Sequence, residues 1–331
     1  MHCREVRLSA IPHGSATAKD FEVVDAEVGA PGPGQVLVGL RKLGLNAGLA
    51  SRLGGAGTSY GPGIGVGDVP ASDAVVEVLE PGESTFQVGD LAVTKMPWRT
   101  LAVVAAHDLR PIDASDVGLD AHLTILGHVG FTAWTGMVHV GQVEPDDVVY
   151  VSGAAGGVGS CAVQFAKARG ATVIGVAGSK EKVALLTDEL GADRAIDRRE
   201  GRAVDLLREA APHGIDLYFD NVGGEQLEAA LEVLNPGGRA VICGAVASGS
   251  LPGNFRTVIY KELTLRGFTV TEHEDLREQF ESDVRGWMQD GRVHSVHTEF
   301  QGIEQVPEAF ESVLTGSSTG RVVVSMPREL T

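Results

Sequence analysis

From Met1 to about Asp120 the apolar positions fall in short runs, Val36 to Leu40, Ala74 to Leu79 and Leu91 to Thr94, separated by glycine and proline turns. That pattern predicts short strands and a compact all-β domain. From about Leu123 to Phe268 the pattern changes. β-branched runs alternate with stretches whose apolar residues recur at helical spacing, which predicts a parallel sheet wrapped by helices. Strands are expected at Val148 to Val151, Thr172 to Val176, Arg194 to Ile196, Leu217 to Asn221, Arg239 to Cys243 and Leu263 to Gly267. Six strands is the count of a complete Rossmann sheet, so the fold class is α/β, with a doubly wound parallel sheet beside the β domain. The tail reads as an amphipathic helix over Leu276 to Gln289. It ends in the β-branched strand Gly320-Arg321-Val322-Val323-Val324, expected to return to the first domain. Gly54 to Pro70 (GGAGTSYGPGIGVGDVP) supplies neither a helix nor a regular buried strand and is expected to be a mobile loop, either a surface excursion or the wall of a pocket.

The first strand–helix junction of the second region carries the chemistry. In VVYVSGAAGGVGSCAVQFAKARG, Tyr150 and its valines read as a buried strand, and Ala162, Val163, Phe165, Ala166 and Ala168 as one helix face. Gly153, Gly156 and Gly159 punctuate the turn between them. Gly156 allows close approach of a pyrophosphate, Gly159 allows the helix to pack on the strand, and the free N–H groups of the helix start face the anion. Ala154 stands where G-x-G-x-x-G has a glycine, so the motif is degenerate, and the second strand that follows supplies the βαβ context.

A chain of 331 residues suits two domains. Its 27 basic and 44 acidic residues give a formal charge of −17, which disfavours nucleic acid and anionic membranes as partners and requires a local cationic patch for an anionic cofactor. No apolar span approaches the roughly 20 residues that cross a bilayer, and MHCREVRLSAIPHG lacks a signal core, so a cytoplasmic protein is expected. The three cysteines, at 3, 161 and 243, have no disulfide or metal-knuckle spacing.

The end of the second strand selects the dinucleotide. An NAD site places Asp or Glu there to hold the ribose hydroxyls. Here the residues are Ala177-Gly178-Ser179-Lys180-Glu181-Lys182, a hydroxyl and two ammonium groups that suit a 2′-phosphate and therefore NADPH. Lys182 is the stronger lysine candidate; Arg198 and Arg199 either reach the same phosphate from the third strand or are surface charges.

Taken together, GHVGFTAWTG (127–136), SGAAGGVGS, FDNVGGE (219–225), GGRAVICGA (237–245), VIYKEL (258–263) and the terminal GRVVV resemble the zinc-free medium-chain dehydrogenase/reductases. Within them the chain is most similar to the leukotriene 12-hydroxydehydrogenase, prostaglandin reductase and alkenal double-bond reductase group. The resemblance implies a GroES-like β domain at residues 1–122 and 293–331, interrupted by a Rossmann NADP domain at 123–292, with the site in the cleft between them. By matched position it implies Thr132 near the nicotinamide, Gly156, Gly157 and Val158 around the pyrophosphate, and Ser179, Lys182 and Arg198 at the 2′-phosphate. Asn221, Cys243, Gly244, Phe268 and Val270 would line the rest of the groove, and Ser318 stands where the family has a cofactor-contacting Asn. Tyr260 matches a tyrosine placed near the reacting carbonyl. Asn46 and Tyr60 fall by the substrate, where the aromatic and arginine of the prostaglandin reductases are missing, so the pocket is either more open or closed by the loop around Tyr60. Relatives pair through the edge strand near Leu263 to Gly267, implying a homodimer.

No Cys, His or Glu occurs from Arg41 to Pro70, and no cysteine from Thr85 to Asp120, so neither zinc site of the zinc-dependent relatives is expected. Without a Lewis acid, an activated alkene is an easier hydride acceptor than a simple alcohol is a donor. Hydride adds at the β carbon, charge moves to an enolate oxygen, and a phenol, protonated at neutral pH, suits donation to that oxygen. The expected function is NADPH-dependent reduction of enones and enals. Quinone reduction is the second enzyme reading, and an NADPH-binding structural protein the third.

Overall fold

The computed structural model describes residues 1–55, 57, 61–113, 115, 117–244 and 252–327, and Tyr60 lies outside them. The chain divides into two compact units, Met1–Thr124 with His297–Thr331, and Ile125–Val296.

The first unit begins with β1 (His2–Leu8), β2 (Phe21–Glu27), β3 (Gln35–Leu45), β4 (Ala71–Glu80), β5 (Leu91–Pro97), β6 (Leu101–Ala105) and β7 (Arg110–Pro111). The second carries α1 (His128–Trp134), β8 (Val148–Val151), α2 (Gly157–Ala168), β9 (Thr172–Ala177), α3 (Lys180–Asp188), β10 (Arg194–Asp197), α4 (Ala203–Ala210) and β11 (Ile215–Asp220). It continues through α5 (Gly224–Val233), β12 (Leu234–Ile242), α6 (Thr257–Tyr260), β13 (Thr264–Gly267) and α7 (Arg277–Gln289), after which β14 (His297–Gln301), α8 (Val306–Thr315) and β15 (Arg321–Ser325) complete the first unit.

In the first unit β3 is the spine, pairing antiparallel with β4, β6 and β15. β15 is buried throughout because it lies between β14 and β3 in a seven-stranded sheet, which is why it reads as continuous β-branched residues. The core beneath is centred on Trp98, Phe21 and Phe310, with ring centroids 5.4–5.8 Å apart; Trp98 donates its indole N–H to Ser72 Oγ at 3.0 Å. Within the segment expected as a mobile loop, Ile64 is buried, accepts from Gly54 N at 3.0 Å and donates to Arg52 O at 2.8 Å, and Val69 packs against the core of the unit.

The second unit is a six-stranded parallel sheet in the order β10-β9-β8-β11-β12-β13. This is the complete doubly wound order, with its switch between β8 and β11. Tyr150 and Tyr218 face each other across that pair, stacked with centroids 5.4 Å apart. β12 begins at Leu234, earlier than the apolar run from Arg239 predicts, because Leu234 pairs with Ile215 before the register shifts at the Pro236-Gly237 bend. Helix α2 is buried continuously from Gly159 to Ala166, more than one face, since Ser160 and Gln164 are covered too; Gln164 exchanges hydrogen bonds with the backbone of His294, at 3.2 and 2.8 Å. Ala168, at its end, is half-buried. No described helix is long and apolar enough to cross a membrane.

Candidate functional site

The strand order places a ligand crevice at the carboxyl ends of β8 and β11, where the two halves of the sheet wind in opposite directions. The glycine turn leads directly from β8 into α2. Gly153 adopts φ +57°, a left-handed conformation that lets the chain reverse out of the strand. Gly156 is the N-cap in extended conformation, without a side chain to bond the first turn. The opening N–H groups of Gly157, Val158 and Gly159 have no earlier carbonyl in the helix to bond, which makes them available to an anion. A Cβ on Gly159 would lie 2.2 Å from Gly153 O and 2.8 Å from Ala154 Cα, so helix and turn approach at a distance only glycine permits.

The end of β9 is cationic. Ser179 caps α3, its Oγ accepting from Lys182 N at 3.3 Å. Burial, and then the nearby Arg198 charge, hold the Lys182 ammonium below the usual lysine range. Arg198 leaves β10 in the next strand and lays its guanidinium beside Gly178, where a Cβ would meet Nε at 3.1 Å and Nη2 at 3.4 Å. Lys182 and Arg198 therefore face the same small region and repel each other. Arg199, its sequence neighbour, is committed elsewhere: it grips Asp197 through Nε and Nη2 at 2.9 and 2.6 Å and holds that carboxyl down to about 2. Of the two arginines left open by sequence, Arg198 is the one beside Lys182.

On the other half of the sheet, Asn221 follows β11 and is fixed by two bonds to Ser152, N to Oγ at 2.9 Å and Nδ2 to O at 2.7 Å. Cys243 and Gly244 follow β12, and their N–H groups donate to Asp220 O at 2.9 and 3.0 Å. Burial, reinforced by the Asp220 carboxylate, pushes the Cys243 thiol up to about 12, so it is no nucleophile. Thr132 is buried in α1 and spends its hydroxyl on His128 O at 2.8 Å. Phe268 is half-buried beyond β13 and Val270 is buried. Tyr260, at the end of α6, is 79% exposed, and among the described residues its hydroxyl makes no hydrogen bond.

Among the described residues, two candidates belong to the first unit. Asn46 caps the helical turn Ala47–Arg52, its Oδ1 accepting from Leu49 N at 3.2 Å, and Ser318 donates Oγ–H to Ser312 O at 3.3 Å. Asp220 escaped the sequence reading. It stands fully buried at the end of β11, and its Oδ1 gathers Tyr218 Oη, Ser152 Oγ, Val222 N and Gly223 N. The signal was a carboxylate closing an apolar parallel strand at the switch point. Among the described residues no group of three or more His, Cys, Asp or Glu side chains has metal-binding geometry.

Two protein-family models match the chain: an N-terminal domain of oxidoreductase over residues 4–112 and a zinc-binding dehydrogenase over residues 157–284. The chain is 30% identical over 328 residues to an NADPH-dependent curcumin reductase of Escherichia coli, covering 96% of this chain and 95% of the relative. It is 34% identical over 278 residues to a 2-alkenal reductase (NADP(+)-dependent) of Nicotiana tabacum, covering 82% and 81%. The crystal structure of CurA from Vibrio vulnificus in complex with NADPH superposes with a TM-score of 0.92 at 28% identity, covering 98% of this chain and 99% of that one.

Proposed function

The chain belongs to the zinc-independent quinone/enone oxidoreductases of the medium-chain dehydrogenase/reductase family, and we propose that it reduces the carbon–carbon double bond of α,β-unsaturated ketones and aldehydes with hydride supplied by NADPH. The observation that carries the cofactor half of this reading is the cationic end of β9. Ser179, Lys182 and Arg198 converge there and no Asp or Glu closes the strand, while Glu181, in the first turn of α3, is bonded to Ser179 and held below the usual carboxylate range. The turn from Gly153 to Gly159 offers backbone N–H groups to the pyrophosphate. A residue pair that is electrostatically uncomfortable when empty is relieved by a dianion, so the free-energy gain on binding falls on the group that distinguishes NADPH from NADH.

On the substrate side the chain's task is to stabilise charge at an oxygen and return a proton to the α carbon. Tyr260 is the donor in this reading: its hydroxyl has no competing acceptor among the described residues, and donation to the carbonyl oxygen strengthens as that oxygen becomes an enolate. In this reading Asn221, Cys243, Gly244, Phe268 and Val270 line the nicotinamide half of the groove, with Thr132 near the ring; Asn46 and Ser318 belong to the first unit, and Tyr60 lies outside the described residues. Among the described residues the edge strand β13 has a neighbour on one side only, and Ile259 is 74% exposed, which supports pairing of two copies there. Light scattering then gives twice the 34.6 kDa of one chain. The free state of Cys3, Cys161 and Cys243 supports a cytoplasmic setting.

The activity is tested by following NADPH absorbance with an enal, an enone and a quinone under identical conditions. Turnover of the enal or enone exceeding that of the quinone supports the reading. Faster turnover of the quinone makes the protein a quinone reductase, and no turnover of any acceptor by protein that binds NADPH makes it a non-enzymatic binder.

A further inference from the structure

We propose that Asp220 is the positioning residue of the cofactor groove, tying the ends of β8, β11 and β12 together so that the half of the groove opposite the adenosine site is preformed. The inference rests on the NADPH reading and adds a residue to it. Asp220 Oδ1 accepts Tyr218 Oη at 2.7 Å, Gly223 N at 2.7 Å, Val222 N at 2.9 Å and Ser152 Oγ at 3.2 Å. Its backbone carbonyl takes the N–H groups of Cys243 and Gly244. Through Ser152, which accepts from Asn221 N and Nδ2, the network also fixes the residue that follows β11. One residue thus reaches the end of β8 and the turn after β11 by its side chain and the turn after β12 by its backbone carbonyl.

The arrangement is costly for stability. Asp220 is fully buried, and among the described residues Oδ2 has neither solvent nor a hydrogen-bond donor, an orphaned carboxylate oxygen that ordinary packing selects against. Its charge is felt by Tyr150, Tyr218 and Cys243, each of which is pushed toward its protonated form by burial first and by Asp220 second. Of the four donors on Oδ1, Ser152, Val222 and Gly223 lie at the carboxyl ends of strands or in the turn that follows, where this topology binds dinucleotides, and Tyr218 reaches the carboxylate from the core of the unit. The cost falls where geometry matters most.

Calorimetric titration with two probes separates positioning from general stability. NADPH fills both halves of the groove; adenosine 2′,5′-bisphosphate reaches only the half built by Ser179, Lys182 and Arg198. In Asp220→Ala the dissociation constant for NADPH rises about tenfold or more, about 1.4 kcal/mol, while that for adenosine 2′,5′-bisphosphate stays within about twofold. Asp220→Asn, which restores an acceptor at Oδ1, recovers most of the NADPH affinity. Ser152→Ala, which deletes only the hydroxyl link, gives a smaller loss of the same selectivity and serves if the alanine variant at 220 does not fold. Equal weakening of both probes, an unchanged NADPH constant, or an asparagine variant no better than alanine overturns the proposal. Folded wild-type protein that binds neither probe overturns the cofactor reading instead.

Discussion

Replacing Arg198 by alanine is the sharpest perturbation of cofactor choice, because the guanidinium is placed by β10 against Gly178 and beside Lys182 without a carboxylate partner among the described residues. A charge-assisted hydrogen bond to the 2′-phosphate contributes about 1.5–3 kcal/mol, so losing it raises the NADPH dissociation constant about 10- to 100-fold. NADH, which lacks that phosphate, changes within about twofold. Arg198 also repels Lys182 in the empty site, a repulsion that the bound phosphate offsets, so its removal forfeits that relief as well as the contact and the loss falls toward the upper end of the range. Lys182→Ala behaves in the same direction, and the double variant loses less than the sum of the singles because the mutual repulsion vanishes once. The assay is fluorescence titration with both cofactors at two ionic strengths, the NADPH effect shrinking in high salt. Equal weakening of NADPH and NADH by Arg198→Ala would refute the assignment, since a general disturbance of the Rossmann unit affects both.

The same site has a pH signature. Burial and Arg198 depress the Lys182 pKa in the free protein, and a bound phosphate favours the ammonium. NADPH affinity therefore falls as the pH rises through the Lys182 range, and in Arg198→Ala that fall shifts to higher pH in titrations from pH 7 to 10. Gly159→Ala places a methyl 2.2 Å from Gly153 O; about 2 kcal/mol or more of stability is lost, read as a lowered melting temperature of the second unit. Tyr260→Phe lowers kcat for an enone with the NADPH dissociation constant unchanged, and unaltered turnover at saturating enone removes Tyr260 from the mechanism. Cys243, its thiol at about 12, resists iodoacetamide at pH 8 in the folded protein and labels on unfolding, as peptide mass spectrometry will show.

The parallel sheet was legible because strands buried on both faces are written as uninterrupted β-branched runs, and the turns between them as glycines. The cationic end of β9 was legible for a different reason: the carboxylate an NAD site requires is missing from a known distance beyond the glycine turn. What pattern reading missed depends on residues far apart in sequence. Arg198 and Arg199 are adjacent and chemically alike, and only the position of Asp197 decides that Arg199 is spent on an ion pair while Arg198 faces Lys182. Asp220 looked like one polar letter of a motif, yet its donors come from positions as far as 68 residues away. Ile64 was hidden among glycines, and its anchoring role comes from a core assembled from the rest of the first unit. The early start of β12 escaped because Pro236 and Gly237 interrupt the run before Arg239, whereas pairing of Leu234 with Ile215 extends the strand ahead of them.

Hydride delivery from NADPH to the β carbon of an activated alkene leaves an isotopic mark on the product. The protein is incubated with a 2-alkenal and NADPH deuterated at C4 of the nicotinamide, and the product is analysed by NMR. The expected product is the saturated aldehyde with deuterium at the β carbon. Deuterium at the carbonyl carbon of an allylic alcohol, or no transfer by protein that binds NADPH, would contradict it.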